Sequence, residues 1–231
     1  MKKSQHNLQT LYPLISSVFC TLVVLANILS TKMVAFPWLE LSIPAGLFFY
    51  PLTFLCSDLV TEIFGIKKAK TMVYIALAMS LFSFSMIQIS LALPNYNREE
   101  ELAFQNVLGC SRLRILSSLF SYIVSQMTAI YLYTAIKRWT GPAWLWLRGN
   151  GSTGLAQMLD TVLIDLCFLW WGLDMSMERV FPIMLFSYAY KLFFNAACTP
   201  VLYLLVFSIR ARQPEPEPTF HTPIATQGSF L

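Results

Sequence analysis

Six stretches of the chain are apolar almost without interruption, at approximately 11–36, 45–65, 71–93, 115–136, 154–173 and 180–208. Crossing a hydrocarbon core of about 30 Å takes roughly 20 apolar residues in a helix, so each stretch predicts a membrane span. The fold class expected is all-α, a polytopic membrane protein with six transmembrane helices. The first run follows Lys2 and Lys3 as a signal peptide would, but it is too long, and Asn27 stands where small residues would mark a cleavage site. The domain reading is a tail over 1–10, a six-helix transmembrane domain over 11–208 and a disordered tail over 209–231, where Pro214, Pro216 and Pro218 alternate with Glu215 and Glu217. Between the third and fourth runs, residues 94–113 open on Pro94 and carry Glu99, Glu100 and Glu101, predicting a solvated loop with a short surface helix.

Charge adds an orientation. Placing both tails in the cytoplasm assigns ten basic residues to that side (Lys2, Lys3, Lys67, Lys68, Lys70, Lys137, Arg138, Arg148, Arg210 and Arg212) and four to the other (Arg98, Arg112, Arg114 and Arg179). Short cytoplasmic loops hold the Lys/Arg excess, so an even number of spans with both ends inside is expected. The net charge of +4 belongs to that asymmetry and not to a nucleic-acid surface, since the basic residues sit in short clusters between apolar runs. At 56% hydrophobic and 12% charged, the composition agrees with a membrane protein.

The remaining chemistry is sparse. Five widely spaced cysteines (Cys20, Cys56, Cys110, Cys167 and Cys198) offer neither a disulfide framework nor a metal-binding pair. His6 and His221 both lie in the tails, so no buried general base or histidine ligand is available, and no cofactor or metal site is expected. Gly149, Gly151 and Gly154 match a dinucleotide-binding spacing, but they follow Trp144 and Trp146 and precede a span, with no βαβ context. They read as a loop and helix start, with Ser152 or Thr153 as N-cap.

A charged residue near the bilayer centre costs about 2.5–3.5 kcal/mol on insertion scales, so each is a functional candidate. Asp58 and Glu62 stack one turn apart, and Gly65 ends that helix just before Lys67 and Lys68. Glu62 reads either as a site residue or as a snorkelling one paired with Lys67 or Lys68. Gln157 and Asp160 share a face of the fifth span at a depth expected to match Asp58, as a solute site or as a structural hydrogen-bond pair; Asp165 falls on another face. Lys191, with Asn195 one turn on, is placed to neutralise an acid. Asn27, Ser30 and Thr31 form a small polar stripe that also suits close helix packing, and Gln126 needs a partner in lipid.

Two long blocks add a resemblance. The stretch from Ala26 through Lys70 (ANILSTKMV, then PAGLFFYPLTFLCSDLVTEIFGIKKAK) and the block LRGNGSTGLAQMLDTVLI from Leu147 to Ile164 closely resemble the VUT family of queuosine-precursor transporters of bacterial inner membranes. YKLFFNAACTPVLYLL from Tyr190 to Leu205 is similar to that family's last helix. The resemblance implies a fold like the substrate-binding components of vitamin uptake systems. It also implies import of 7-deazaguanine bases (preQ0, preQ1 or queuine) for tRNA modification, without catalysis. It singles out Asn27, Asp58, Glu62, Gln126, Gln157, Asp160, Lys191 and Asn195 as the substrate-binding candidates. One departure is visible: Ala129 stands three residues after Gln126 where the family pattern has an acid. The partners implied are the 7-deazaguanine solute and the lipid bilayer, not nucleic acid, with an energising partner or homo-oligomer left open. A guanine-like edge presents two parallel N–H donors that a carboxylate accepts together, while Gln and Asn serve its carbonyl. The rival reading is a noncatalytic membrane binding component or scaffold working with an energising partner.

Overall fold

The computed structural model describes residues 2–36, 41–94, 96–109, 112–141, 144–172 and 174–211. The chain folds as α1 (Lys2–Leu29), a hairpin of β1 (Met33–Phe36) and β2 (Leu41–Pro44), a 3-10 turn (Ala45–Phe48), then α2 (Tyr50–Ala92), α3 (Arg98–Leu108), α4 (Arg112–Thr140), α5 (Leu145–Ile164) and α6 (Met177–Ala211). A π-helical stretch, Asp165–Trp170, continues α5.

Five helical stretches are long and apolar enough to cross a membrane, and one of them, Ala45–Ala92, is 48 residues long. At about 1.5 Å per residue that is more than twice a bilayer core. Gly65 divides it, with φ 81° and ψ 172° inside an otherwise helical run, a backbone region essentially confined to glycine. Contacts with α1 show that the two arms fold back. The Tyr12 hydroxyl donates to the Lys68 carbonyl beside the bend, whereas the opposite end of α1 lies against Gly46 before the first arm and against Ser83 and Ile87 late in the second. The bundle therefore has six crossings, and Thr10 and Arg210 lie at the same end as Glu62. That end is called the Glu62 end below; the other is the Ser30 end.

Three boundaries differ from the sequence expectation. The first span stops at Leu29, not 36, because Ser30 and Thr31 turn their hydroxyls back onto the Ala26 and Ile28 carbonyls (2.7 and 2.8 Å). This satisfies helix-end acceptors. The next residues pair as a hairpin with Met33 opposite Pro44 and Phe36 opposite Leu41. The fifth span begins at Leu145, not 154, so Ser152 and Thr153 are interior and cap nothing. Gly149 and Gly154 are packing positions: a Cβ would stand 3.3 Å from Leu202 and from Leu192, respectively. Small residues of this kind let membrane helices approach closely. At the ends, helix extends back to Lys2 and forward to Ala211; the expected tail from 212 lies outside the described residues, as does Cys110.

The surface helix expected between the third and fourth runs is α3. Asn97 caps it by accepting from the Glu99 N–H at 3.0 Å, and its three glutamates occupy the first turn, where the helix dipole favours negative charge.

The radial pattern suits lipid. Phe82, Phe181, Phe193, Leu204 and Phe207 are exposed, while Thr53, Ser57, Asp58, Glu62, Ser121, Ser125, Gln126, Arg148, Gln157, Asp160 and Lys191 are buried. Polar side chains that face inward in such a bundle are where function is sought.

Candidate functional site

A cavity of about 590 Å³ lies toward the Ser30 end. Every crossing except the second arm of α2 contributes to it. Asn27 and Ser30 come from α1, Gly46 from the 3-10 turn, Tyr50 from the first arm of α2, Arg114 and Ser118 from α4, Asp160, Thr161 and Asp165 from α5, and Ser187 and Lys191 from α6.

Asp160 and Lys191 form its polar floor. Lys191 Nζ lies 2.7 Å from Asp160 Oδ2 and donates also to Thr161 Oγ1 at 2.9 Å. Asp160 Oδ1 accepts from the hydroxyls of Ser121 (2.8 Å), Tyr50 (3.1 Å) and Ser125 (3.4 Å). The Lys191 ammonium also stands 5.5 Å from the centre of the Tyr50 ring, within cation–π range. The pair is almost wholly buried, so each charge depends on the other: an isolated ion in a low-dielectric interior costs far more than a paired one. The role expected for Lys191, neutralising an acid, is met by Asp160. Asn27 is held by its neighbours, accepting from Ser118 Oγ at 2.7 Å and donating to the Val23 carbonyl at 3.1 Å. Arg114 donates to the Ser30 carbonyl and stands 5.8 Å from the Phe168 ring centre.

Of the eight candidates, the cavity brings together Asn27, Asp160 and Lys191. The expected common depth of Asp58 and Asp160 does not hold. The first arm of α2 runs antiparallel to α5, with Tyr50 beside Asp160 and Asp58 accepting from Thr153 at 2.9 Å. The two acids thus lie about two turns apart. Starting α5 at 154 had placed Asp160 too near the helix end. Glu62 lies a further turn from the cavity, at its own end of the bundle, and its salt bridges are not to Lys67 or Lys68. Arg148 (3.3 Å), Lys137 (3.0 Å) and the half-exposed Arg210 surround it, and the Tyr133 hydroxyl donates to it at 3.0 Å. Asn195 is spent at the α5–α6 seam, donating to Asn150 at 3.2 Å.

Gln126 and Gln157 occupy the level between the cavity and Asp58. Gln126 donates to Thr53 Oγ1 at 3.3 Å, while among the described residues its Oε1 has no hydrogen-bond partner and neither amide atom of Gln157 has one. Both residues are fully buried. Ala129, one turn on from Gln126, is fully buried and packs with Phe54 and Ala156. Sequence reasoning had not singled out Tyr50, Ser121 or Ser125, because hydroxyls in membrane helices carry no distinguishing spacing; Arg148 was assigned only to the basic loop.

The sequence profile of a family described as "Putative vitamin uptake transporter" matches residues 44–205, which include every polar residue of the floor. The "Probable queuosine precursor transporter" of Bacillus subtilis (strain 168) is 30% identical over 116 residues, 49% of this chain and 51% of that protein. The chain thus aligns with about half the length of this curated relative. No solved structure matches. With a profile match covering more than half of the chain and a bundle of apolar helices around a buried polar cavity, the chain belongs to the vitamin uptake transporter family, a family of multi-pass membrane transporters.

Proposed function

We propose that the protein carries 7-deazaguanine bases, the precursors of queuosine, across the bacterial inner membrane, with the Glu62 end in the cytoplasm. The cavity is of the size of small-molecule sites, about 300–1,000 Å³, and is larger than a bicyclic base, leaving space for a substituent at the seven-position. Of the three donors on the Lys191 ammonium, Asp160 and Thr161 take two. The third serves the carbonyl of the base, and the Tyr50 ring offers a face beside it.

One observation favours a carrier over a static binding component or scaffold. Below the cavity, Gln157 Nε2 and Oε1, Gln126 Oε1 and Ser57 Oγ are buried without hydrogen-bond partners among the described residues. Polar residues that merely join helices pair with one another, because an unsatisfied buried group costs about 1–3 kcal/mol. These atoms continue the polar line from Asp160 past Asp58 to Glu62, and they find partners when the line opens and admits water and solute. The described conformation is then closed at the Glu62 end.

The test is queuosine in the tRNA of cells that cannot make its precursors, supplied with external base, with and without this gene. Gln157→Leu separates the readings: it removes two unpaired polar atoms, so the protein accumulates normally while uptake falls at least about tenfold. Unchanged uptake in Gln157→Leu would remove the amide from the path. Uptake into liposomes containing this chain alone distinguishes a self-sufficient carrier from a component that needs an energising partner.

A further inference from the structure

The two carboxylates of the cavity are in different states. Both oxygens of Asp160 are engaged by hydroxyls and by Lys191. Asp165 lines the same cavity, is 9% exposed, and its Oδ2 has no hydrogen-bond partner among the described residues. A buried carboxylate oxygen left unpaired is uncommon and calls for an explanation.

Its backbone setting points to a ligand. Asp165 opens the π-helical stretch, in which the Trp171 N–H reaches back five residues to the Leu166 carbonyl at 3.1 Å; such single-turn widenings recur at functional sites. In a plain α-helix, residues four apart drift steadily around the axis. The wider turn counters that drift after Asp165, and Phe168 lines the same cavity as Asp160, Ile164 and Asp165.

We propose that Asp165 is the specificity-determining carboxylate, accepting the ring N–H and the exocyclic amine of the base, while Asp160 is a positioning residue that holds Lys191. This rests on the reading of the protein as a 7-deazaguanine carrier. On a guanine-like edge the amine, the ring N–H and the carbonyl follow in order. A carboxylate with one oxygen unpaired and an ammonium with one spare donor on the same cavity supply acceptors for the first two and a donor for the third. Asp160 cannot do the same without giving up the hydroxyls and the ammonium it already holds.

The experiment is competition for uptake of labelled 7-cyano-7-deazaguanine by 7-deazaguanine and by 7-deazahypoxanthine, which lacks the exocyclic amine. In the parent protein, 7-deazaguanine competes at least about tenfold better, as sites built to pair a polar group reject analogues lacking it. In Asp165→Asn one acceptor oxygen becomes an amide NH2 donor that faces the base's own N–H groups, so uptake falls and the two competitors become equivalent. A merely structural role would lower uptake without changing their ratio. Asp165→Ser, which removes the carboxylate altogether, reads the same ratio if the amide variant does not accumulate. A parent-like ratio in the Asp165 variants, or its collapse in Asp160→Asn instead, overturns the proposal while the carrier reading stands. Failure of the parent to take up any 7-deazapurine overturns both.

Discussion

Asp160→Asn is the substitution whose consequence the structure defines most sharply. It changes little volume but leaves Lys191, whose side chain is 4% exposed, with one hydroxyl and a neutral amide in place of a carboxylate at 2.7 Å. Neutral polar pairs in membrane bundles couple by only about 0.6 kcal/mol on average. Here a charge is stranded, and breaking a buried ion pair from one side costs about 3–5 kcal/mol. Unfolding in detergent should therefore show a loss of about 3 kcal/mol for Asp160→Asn. Lys191→Met is milder, because the three hydroxyls from Ser121, Tyr50 and Ser125 still solvate Asp160. The double variant Asp160→Asn/Lys191→Met contains neither charge and should recover about 2 kcal/mol relative to the sum of the singles. Its uptake should nevertheless stay at least about tenfold below the parent, because the ammonium proposed to serve the base carbonyl is gone. Single losses that add to within about 0.5 kcal/mol would refute the mutual dependence of the pair.

Glu62→Gln leaves Arg148, Lys137 and Arg210 facing one another around a neutral side chain; the Glu62 end should loosen, and Ser57→Cys in that background should react with a membrane-impermeant maleimide that does not label Ser57→Cys alone. Gly46→Ala should nearly abolish folded protein in the membrane, because a Cβ there overlaps the Ala26 carbonyl and the Ser30 hydroxyl, and adding Ser30→Ala should not restore it while the carbonyl remains. Gly65→Ala meets no neighbouring atom yet should cost about 1–3 kcal/mol in detergent unfolding, since its φ and ψ strain any other residue.

The spans were legible because a bilayer requires long apolar runs, and the bend in α2 because Gly65 stands directly before a basic cluster. The end of α1 was not legible. Hydrophobicity continues through Met33 and Val34, and only the back-bonding of Ser30 and Thr31, with local pairing of the next strands, stops the helix. The start of α5 was misread because glycines are helix breakers in water, whereas here Gly149 and Gly154 admit Leu202 and Leu192. That error of about nine residues moved Asp160 by more than two turns and merged two levels of the bundle into one. Acids were easy to nominate, being costly in lipid. Their partners were not, since Arg148 and Arg210 reach Glu62 from the starts and ends of other helices and pairing is fixed by register between elements.

Between the cavity and the Glu62 cluster, the described conformation leaves four buried polar atoms unpaired on Gln126, Gln157 and Ser57. At about 1–3 kcal/mol each, they raise the free energy of this state substantially. The Glu62 cluster opposes them by holding α2, α4, α5 and α6 together through one carboxylate. It does so with three cations, whose mutual repulsion limits how firmly it closes. A solute can redistribute two conformations only by its difference in affinity for them, so states separated by more than about 5 kcal/mol would never exchange on binding. Pairing every polar atom would lock the bundle, whereas removing the Glu62 carboxylate would leave it open. On the carrier reading proposed above, alternation requires the unpaired amides as much as it requires the ion cluster.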